Sequence, residues 1–198
     1  MISLKLRIFQ FIPRTEVEGP GVRACIQVQG CPIQCTDCGV PQTWSTKGGR
    51  IIDTKGLVNQ ILTGPSISGI TFLGGEPFVQ AAALADVGRQ VKEHGLSVVT
   101  FTGYVLEDLQ RANRDDFNEL LAVTDLLIDG PFQKEKVDFS RPWVGSNNQR
   151  YHFLTDRYLH LESTLASIPN RIEVRLKPDG RILINGLTPL VDMKSLII

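Results

Sequence analysis

The chain has 198 residues, of which 42% are hydrophobic and 21% charged, so one domain can build an ordinary core without help from a metal. With 21 basic and 21 acidic residues the formal net charge is zero, which predicts neither a nucleic-acid partner nor a membrane surface. The N-terminus lacks a signal-peptide pattern, and no apolar run approaches the roughly 20 residues that span a bilayer. We therefore expect a cytoplasmic protein whose four cysteines are reduced.

Apolar runs that suit strands alternate with amphipathic runs that suit helices along most of the chain. The strand-like runs cover 22–29, 69–73, 96–102, 125–129 and 150–154. The helix-like runs cover 53–62, 78–93, 105–112 and 116–122. Asp53 is predicted to cap the first helix, and Gly95 follows the end of the second. This alternation is typical of an α/β fold with a parallel sheet.

The C-terminal quarter of the chain departs from this pattern. Residues 133–148 are polar and irregular, which predicts a surface loop with a function. Residues 158–168 are ambiguous between helix and irregular structure. Two apolar runs, 172–176 and 181–184, flank Pro178-Asp-Gly180 and predict a β-hairpin.

Three of the four cysteines, Cys31, Cys35 and Cys38, follow the first predicted strand in a C-x3-C-x2-C pattern. Three thiolates so close together can hold one soft metal centre. A 4Fe-4S cluster held by three thiolates leaves one iron free to bind a small molecule, whereas a structural zinc ion requires four protein ligands. The alternative is a zinc site completed by one of three histidines far along the chain, His94, His152 or His160. The fourth cysteine, Cys25, is predicted to be a packed side chain.

Several motifs occur together with this pattern and in a fixed order. Gly74-Gly-Glu-Pro77 follows the second predicted strand. The others are Glu18-Gly-Pro-Gly-Val-Arg23, Thr43-Trp44, Thr102-Gly-Tyr104, Glu107-Asp-Leu109, Ile128-Asp-Gly-Pro-Phe132 and Gly145-Ser-Asn-Asn-Gln-Arg150. Over about residues 6–154 the chain resembles radical S-adenosylmethionine enzymes, and among them the activating proteins of anaerobic ribonucleotide reductase, which are glycyl-radical enzyme activases.

The resemblance implies an incomplete parallel β/α barrel that is open on one side and carries a C-terminal hairpin. We expect residues 1–155 to form this partial barrel and residues 156–198 to form an extension packed on the same domain. The chain also departs from the family pattern. Asp37 stands where an aromatic residue often precedes the third cysteine, and Gly39-Val40 stands where Tyr-Asn often follows it.

The chemistry implied by the resemblance is reductive cleavage of S-adenosylmethionine on a 4Fe-4S cluster bound by the three cysteines. The resulting deoxyadenosyl radical removes hydrogen from a glycine of a partner, most simply the large subunit of an anaerobic ribonucleotide reductase. A flavodoxin- or ferredoxin-type protein would supply the electron. The residues expected to contact S-adenosylmethionine are Asp37, Cys38, Gly39, Gly74, Gly75, Glu76, Pro77, Thr102, Gly103 and Asp129.

Simpler interpretations of these residues stay open at this point. Gly74–Pro77 is compatible with an ordinary turn between strand and helix, and Thr102, Gly103 and Asp129 are compatible with strand-end capping. A radical enzyme acting on a small molecule, similar to the deazapurine carboxylate synthases, is an alternative function. A zinc-stabilised interaction module without activity is another.

Overall fold

The computed structural model describes residues 3–176 and 178–187. Nine strands and four α-helices occur in this part of the chain. The strands are β1 (Lys5–Thr15), β2 (Arg23–Val28), β3 (Arg50–Asp53), β4 (Gly69–Gly74), β5 (Ser97–Phe101), β6 (Leu126–Asp129), β7 (Arg150–Phe153), β8 (Ile172–Leu176) and β9 (Ile182–Gly186). The helices are α1 (Thr54–Leu62), α2 (Ala81–Lys92), α3 (Leu106–Ala112) and α4 (Asp115–Val123).

Seven strands form one open sheet in the order β3-β1-β2-β4-β5-β6-β7. The four central strands, β2, β4, β5 and β6, run parallel, as the alternating pattern predicts. The three flanking strands are each antiparallel to their neighbour, so the sheet is mixed and parallel only at its centre. Strands β1 and β3 were not predicted, and they extend the sheet beyond β2.

The helices cover one face of this sheet. Alternate residues of the central strands, such as Ile26, Phe72 and Leu127, are buried with the apolar sides of α1, α2 and α4 in one core. Asp53 caps α1 as predicted, since its carboxylate accepts from Gly56 N at 2.7 Å. The second helix begins at Ala81, three residues later than predicted, because a 3-10 turn over Pro77–Gln80 precedes it.

The opposite face of the sheet has a buried arginine at its centre. Arg23 is fully buried and donates to Thr71 Oγ1 at 2.8 Å, Ser97 Oγ at 3.1 Å and Tyr158 Oη at 2.7 Å. Tyr158 belongs to a 3-10 turn over Asp156–Leu161, in the segment whose structure was ambiguous in the sequence. This segment therefore closes the second face of the sheet instead of forming an α-helix.

The C-terminal hairpin is present as predicted, with β8 and β9 pairing antiparallel in a sheet of their own. No helix in the described residues is both long enough and apolar enough to cross a membrane.

Candidate functional site

The three-cysteine loop begins two residues after β2, at the carboxyl end of the parallel strands. Its first residues are fixed against the returning chain, since Gly30 N donates to Thr43 O at 2.7 Å and Cys31 N donates to Trp44 O at 3.1 Å. The loop then turns sharply, with left-handed backbone at Gln34 (φ 50°) and Asp37 (φ 59°). These turns bring the three cysteines onto one short loop, and each is partly exposed and free of any disulfide.

Burial raises the pKa of the thiols of Cys31 and Cys35, although backbone N–H groups hydrogen-bond to both sulfurs. Neighbouring cysteines raise the pKa further, because two thiolates repel each other. A bound metal centre would displace these protons and supply the positive charge that three thiolates need.

Three free cysteines on one loop are the kind of donor set that holds an iron–sulfur cluster. Among the described residues, no three His, Cys, Asp or Glu side chains are gathered closely enough to ligate one metal ion. A 4Fe-4S cluster takes each cysteine thiolate on a different iron. Trp44 is bonded to the start of the loop, and its indole Nε1 is buried without a partner in this part of the chain. The Trp44 Nε1–H is therefore a buried donor that a bound group could satisfy.

Gly74-Gly-Glu-Pro77 ends β4 and lies directly against the start of the cysteine loop. Gly75 N donates to Val28 O at 2.8 Å and Glu76 N donates to Gly30 O at 2.9 Å. A Cβ on Gly75 would lie 2.4 Å from Gly30 O, so only glycine permits this approach. The glycine pair was expected to let the backbone approach a ligand. In the structure the close approach is to the chain itself, and it fixes the loop to β4.

Glu76 is 1% exposed, and its carboxylate links the end of β4 to the end of β5 by hydrogen bonds. Oε1 accepts from Phe78 N at 2.9 Å and from Thr102 Oγ1 at 2.8 Å, and Oε2 accepts from Gly103 N at 2.9 Å. Burial raises the pKa of Glu76 to about 7, against the lowering effect of these three donors. Since this carboxylate accepts three hydrogen bonds from the protein itself, it is held in one orientation between the two strand ends.

Thr102 and Gly103, which follow β5, both donate to Glu76, and Gly103 also lies against the cysteine loop. Thr102 is buried, and its hydroxyl also accepts from Tyr104 N at 3.1 Å. A Cβ on Gly103 would lie 2.6 Å from the Cδ1 atom of Ile33, which stands between the first two cysteines. The ends of β2, β4 and β5 are therefore packed together around one loop.

Asp129, at the end of β6, lies in an ionic cluster. It is fully buried and accepts from Arg150 Nη2 at 2.6 Å and from Leu106 N at 2.7 Å, and His152 Nε2 lies 2.9 Å from it. Burial alone would raise the pKa of Asp129, but hydrogen bonds from His152, Arg150 and Leu106 N–H hold it at about 2. Arg150 also bonds both oxygens of Glu107, whose pKa it lowers to about 2.

The polar segment 133–148 lies against the cysteine loop from the other side. Lys134 Nζ is 2.6 Å from Asp37 Oδ2, and the backbone N–H of Phe132 hydrogen-bonds to Cys35. Gly39 is exposed, with open space where a Cβ would stand. The ion pair of Lys134 has no signal in the sequence, because its partner lies 97 positions away on another loop.

Two glutamines that were not predicted as functional residues hold the base of the cysteine loop by hydrogen bonds. Gln29 is 2% exposed and donates to Gln42 O at 2.9 Å and to Ser45 O at 2.7 Å. Gln80 donates to Gln29 O at 3.0 Å and to Arg7 O at 2.8 Å. One sequence signal points to Gln29: it is a polar residue at the end of a predicted strand. The structure shows that this strand is buried along its whole length.

Comparison with known proteins agrees with this site. A family described as "4Fe-4S single cluster domain" matches residues 17–152, which include the cysteine loop and all four parallel strands. The anaerobic ribonucleoside-triphosphate reductase-activating protein of Vibrio cholerae is 32% identical over 155 residues, covering 74% of this chain and 97% of that protein. The chain belongs to this family of activating proteins. The resemblance inferred from the sequence is thereby confirmed, and the family description supports an iron–sulfur cluster.

Two further proteins are more distantly similar. The pyruvate formate-lyase-activating enzyme of Clostridium pasteurianum is 31% identical over 118 residues, covering 57% of this chain and 46% of that enzyme. The crystal structure of QueE from Escherichia coli covers 50% of this chain and 53% of that chain at 20% identity, with a TM-score of 0.43. The second similarity is too low to carry an argument.

Proposed function

We propose that this protein is a radical S-adenosylmethionine enzyme that installs a glycyl radical on an anaerobic ribonucleotide reductase or a related enzyme. The observation that carries the proposal is the attachment of the three-cysteine loop to the ends of β4 and β5, in a chain that aligns with 97% of an activating protein. The site thus lies at the carboxyl ends of parallel strands, where α/β folds bind their ligands.

The cofactors would be a 4Fe-4S cluster on Cys31, Cys35 and Cys38, and S-adenosylmethionine. Bound there, and given one electron by a flavodoxin- or ferredoxin-type donor, these cofactors would supply radical chemistry: reductive cleavage of a carbon–sulfur bond of the sulfonium to methionine, and removal of a hydrogen atom from a glycine Cα of the partner with 5′-deoxyadenosine as the other product. The protein's part is to bind, orient and shield these reactants.

The residues of the chain divide this work. Glu76, Thr102 and Gly103 hold two strand ends rigid against the loop, so the thiols keep a fixed position. Residues 74–77 and 102–103 lie next to that loop, and the backbone groups that they do not use in the protein's own hydrogen bonds would contact S-adenosylmethionine. Asp129 stays ionised, because hydrogen bonds from His152, Arg150 and the Leu106 N–H hold its pKa at about 2. Asp37 and Gly39 form the exposed outer side of the loop, where the partner's glycine segment would approach.

The proposal extends to the organisation and location of the chain. Residues 1–155 would form the radical enzyme proper, as an open partial barrel, and residues 156–198 an extension packed on it. Tyr158 supports the packing of the extension on the body, because its hydroxyl accepts from Arg23 Nη1 at 2.7 Å on the face of the sheet opposite the helices. The chemistry requires a reducing, anaerobic cytoplasm.

The test is anaerobic reconstitution with iron and sulfide, followed by reduction in the presence of S-adenosylmethionine. We expect a brown protein with about four irons per chain that forms 5′-deoxyadenosine. Cys31→Ala, Cys35→Ala and Cys38→Ala should each lose the cluster and the cleavage. Cys25→Ala is the matched control, because Cys25 is fully buried in β2, and it should keep both. Full iron loading of Cys35→Ala, or a reduced wild-type cluster that forms no 5′-deoxyadenosine, would contradict the proposal.

A further inference from the structure

The backbone that leaves the end of β6 is held by side chains of the motif at residues 145–150. Strands β6 and β7 pair antiparallel, so this motif runs alongside residues 129–133 and contacts each of them. We call these contacts the clasp. They are Arg150 Nη2 to Asp129 Oδ2 at 2.6 Å, Gln149 Nε2 to Gly130 O at 3.2 Å, Asn148 Nδ2 to Pro131 O at 2.7 Å, Gly145 against the ring of Phe132, and Gln133 N to Ser146 Oγ at 3.2 Å.

The motif is also fixed from its own side. Gln149 Oε1 accepts from Gly145 N at 2.9 Å and from Ser146 N at 3.2 Å. Arg141 donates to the backbone oxygens of Gln149 and Ser146, both at 3.1 Å. The side chains of the clasp are therefore carried by an ordered turn and can hold the neighbouring segment in one position.

The peptide group between Pro131 and Phe132 connects the clasp to the cysteine loop. Its carbonyl oxygen accepts from Asn148 Nδ2, and its N–H hydrogen-bonds to the sulfur of Cys35. A peptide group is planar, so the directions of its C=O and N–H are fixed relative to each other. Fixing the oxygen therefore also fixes the direction of the N–H, and two hydrogen bonds in series polarise each other.

The bond to Cys35 differs in origin from the bonds to the other two thiols. Their N–H donors belong to the cysteine loop itself, whereas Phe132 lies on a segment far along the chain. The position of this donor therefore depends on what holds that segment. The ion pair of Lys134 with Asp37 contributes little, because both side chains are about half exposed. The partly buried bonds of the clasp are the stronger hold.

We propose that Asn148, supported by Ser146 and Gln149, is a positioning residue that directs the Phe132 N–H to the sulfur of Cys35 and thereby raises the reduction potential of the cluster. Reduction adds a negative charge to the cluster, and an N–H dipole pointing at a ligand sulfur stabilises that charge. The cluster then accepts its electron more readily from the donor protein. This inference rests on the proposed function only in placing a 4Fe-4S cluster on the three cysteines, and it does not depend on the client.

The test is Asn148→Leu, which roughly keeps the volume of the side chain but removes the donor to Pro131 O. The reduction potential of the reconstituted protein is measured by anaerobic redox titration, with electron paramagnetic resonance of the reduced cluster as the signal and without S-adenosylmethionine or client. We expect the equilibrium constant for reduction to fall about tenfold, which is about 59 mV towards more negative potential for one electron. Asn147→Leu is the matched control and should keep the wild-type potential, because Asn147 is exposed and bonds Lys136 O through its backbone N–H at 2.8 Å.

Two substitutions of Phe132 test whether Asn148 acts through this N–H. Phe132→Pro removes the N–H itself, whereas Phe132→Leu keeps the N–H and loses only the aromatic ring. The equilibrium constant for reduction should be at least about tenfold lower in Phe132→Pro than in Phe132→Leu. Adding Asn148→Leu to Phe132→Pro should then change it by less than about twofold, because the bond that Asn148 positions is already absent. A further tenfold fall in that double variant would overturn the proposal, since Asn148 would act by another route.

The remaining outcomes separate this inference from the proposed function. A wild-type potential in Asn148→Leu would overturn the positioning role alone. If Asn148→Leu holds no cluster, the milder Ser146→Ala, which removes the acceptor of Gln133 N, should lower the equilibrium constant about threefold, and a wild-type potential in it would overturn the role equally. Wild-type protein that takes up no 4Fe-4S cluster would overturn the proposed function and this inference with it.

Discussion

The hydroxyl of Thr102 donates to Glu76 Oε1 across 2.8 Å and so joins the end of β5 to the motif that follows β4. The Glu76 backbone N–H bonds Gly30 O at the start of the cysteine loop. One buried carboxylate therefore links two strand ends to the loop that carries the thiols. Substitutions of Glu76 and of its donors Thr102 and Gly103 should therefore affect both stability and the cysteine loop.

Thr102→Val removes the hydroxyl but keeps the shape of the side chain. We expect a loss of about 1–2 kcal/mol in the free energy of unfolding, because Glu76 loses one of three donors in a buried site. The cluster should also be lost faster in air. Urea unfolding and the decay of the cluster absorbance measure the two effects.

Thr100→Val is the control for that variant, since the Thr100 hydroxyl pairs with Thr124 Oγ1 at 2.8 Å, away from Glu76. It should lose comparable stability yet keep a normal rate of cluster decay. Equal decay rates in the two variants would show that the Thr102 bond has no special effect on the loop.

The pH dependence of stability follows from the raised pKa of Glu76. The folded protein holds this proton up to about pH 7, whereas an ordinary glutamate releases it near pH 4.5. Stability from this group is therefore full at low pH and is lost as the pH rises through that window. From pH 5 to pH 8 the free energy of unfolding of wild type should fall by roughly 2 kcal/mol relative to that of Glu76→Gln, which has no proton to lose at this position. Parallel stability curves for the two proteins would be inconsistent with the raised pKa.

Gly103→Ala places a methyl group 2.6 Å from Ile33 Cδ1 and should push on the cysteine loop. We expect overpacking to cost about 1–3 kcal/mol and to reduce iron retention. Ile33→Val removes Cδ1, so the double variant Gly103→Ala/Ile33→Val should regain much of the lost stability and of the lost iron retention. Gly39→Ala lies in the same loop but has open space around its Cβ, and should be neutral. Absence of rescue in the double variant would mean that this contact does not position the loop.

Arg150→Met removes the side-chain partner that Asp129 and Glu107 share. Because Asp129 is buried, we expect a loss of about 1–3 kcal/mol at pH 7. The pKa of Asp129 is lowered to about 2, so its stabilisation is present above pH 4 and is lost as the pH falls towards 2. The difference in the free energy of unfolding between wild type and Arg150→Met should therefore become smaller as the pH falls from 4 towards 2. Urea unfolding at several pH values measures it.

Arg111→Met is the control here, since Arg111 pairs with Asp108 at a site where both side chains are mostly exposed. It should change stability by less than about 0.5 kcal/mol. A similar effect of the two substitutions would show that burial of Asp129 does not matter.

Much of the fold could be predicted because local patterns determine it. The parallel strands, the helices between them and the final hairpin each have a clear periodicity or turn signal. The spacing of the cysteines indicated an iron–sulfur centre, and the ordered motifs indicated the family.

What could not be predicted depends on contacts between distant parts of the chain. Strand β1 mixes Lys5, Arg7 and Arg14 with its apolar residues, so its place beside β2 has no clear local signal. The prediction that Glu76 binds a ligand stays a prediction. Two of its three donors, Thr102 and Gly103, lie 26 and 27 positions away, and only the order of the sheet brings them to it. The hydrogen bond between Tyr158 and Arg23 joins residues 135 positions apart, so no local pattern predicts it either.

The central claim is that this chain transfers a radical to a glycine of a protein client. The most direct measurement is electron paramagnetic resonance after anaerobic mixing of reduced holoprotein, S-adenosylmethionine and the anaerobic ribonucleotide reductase of the same organism. We predict an organic radical on the reductase whose doublet splitting collapses when the reductase carries glycine deuterated at Cα. A cluster that is demonstrably reduced, with S-adenosylmethionine bound and no such radical on the reductase, would contradict the claim.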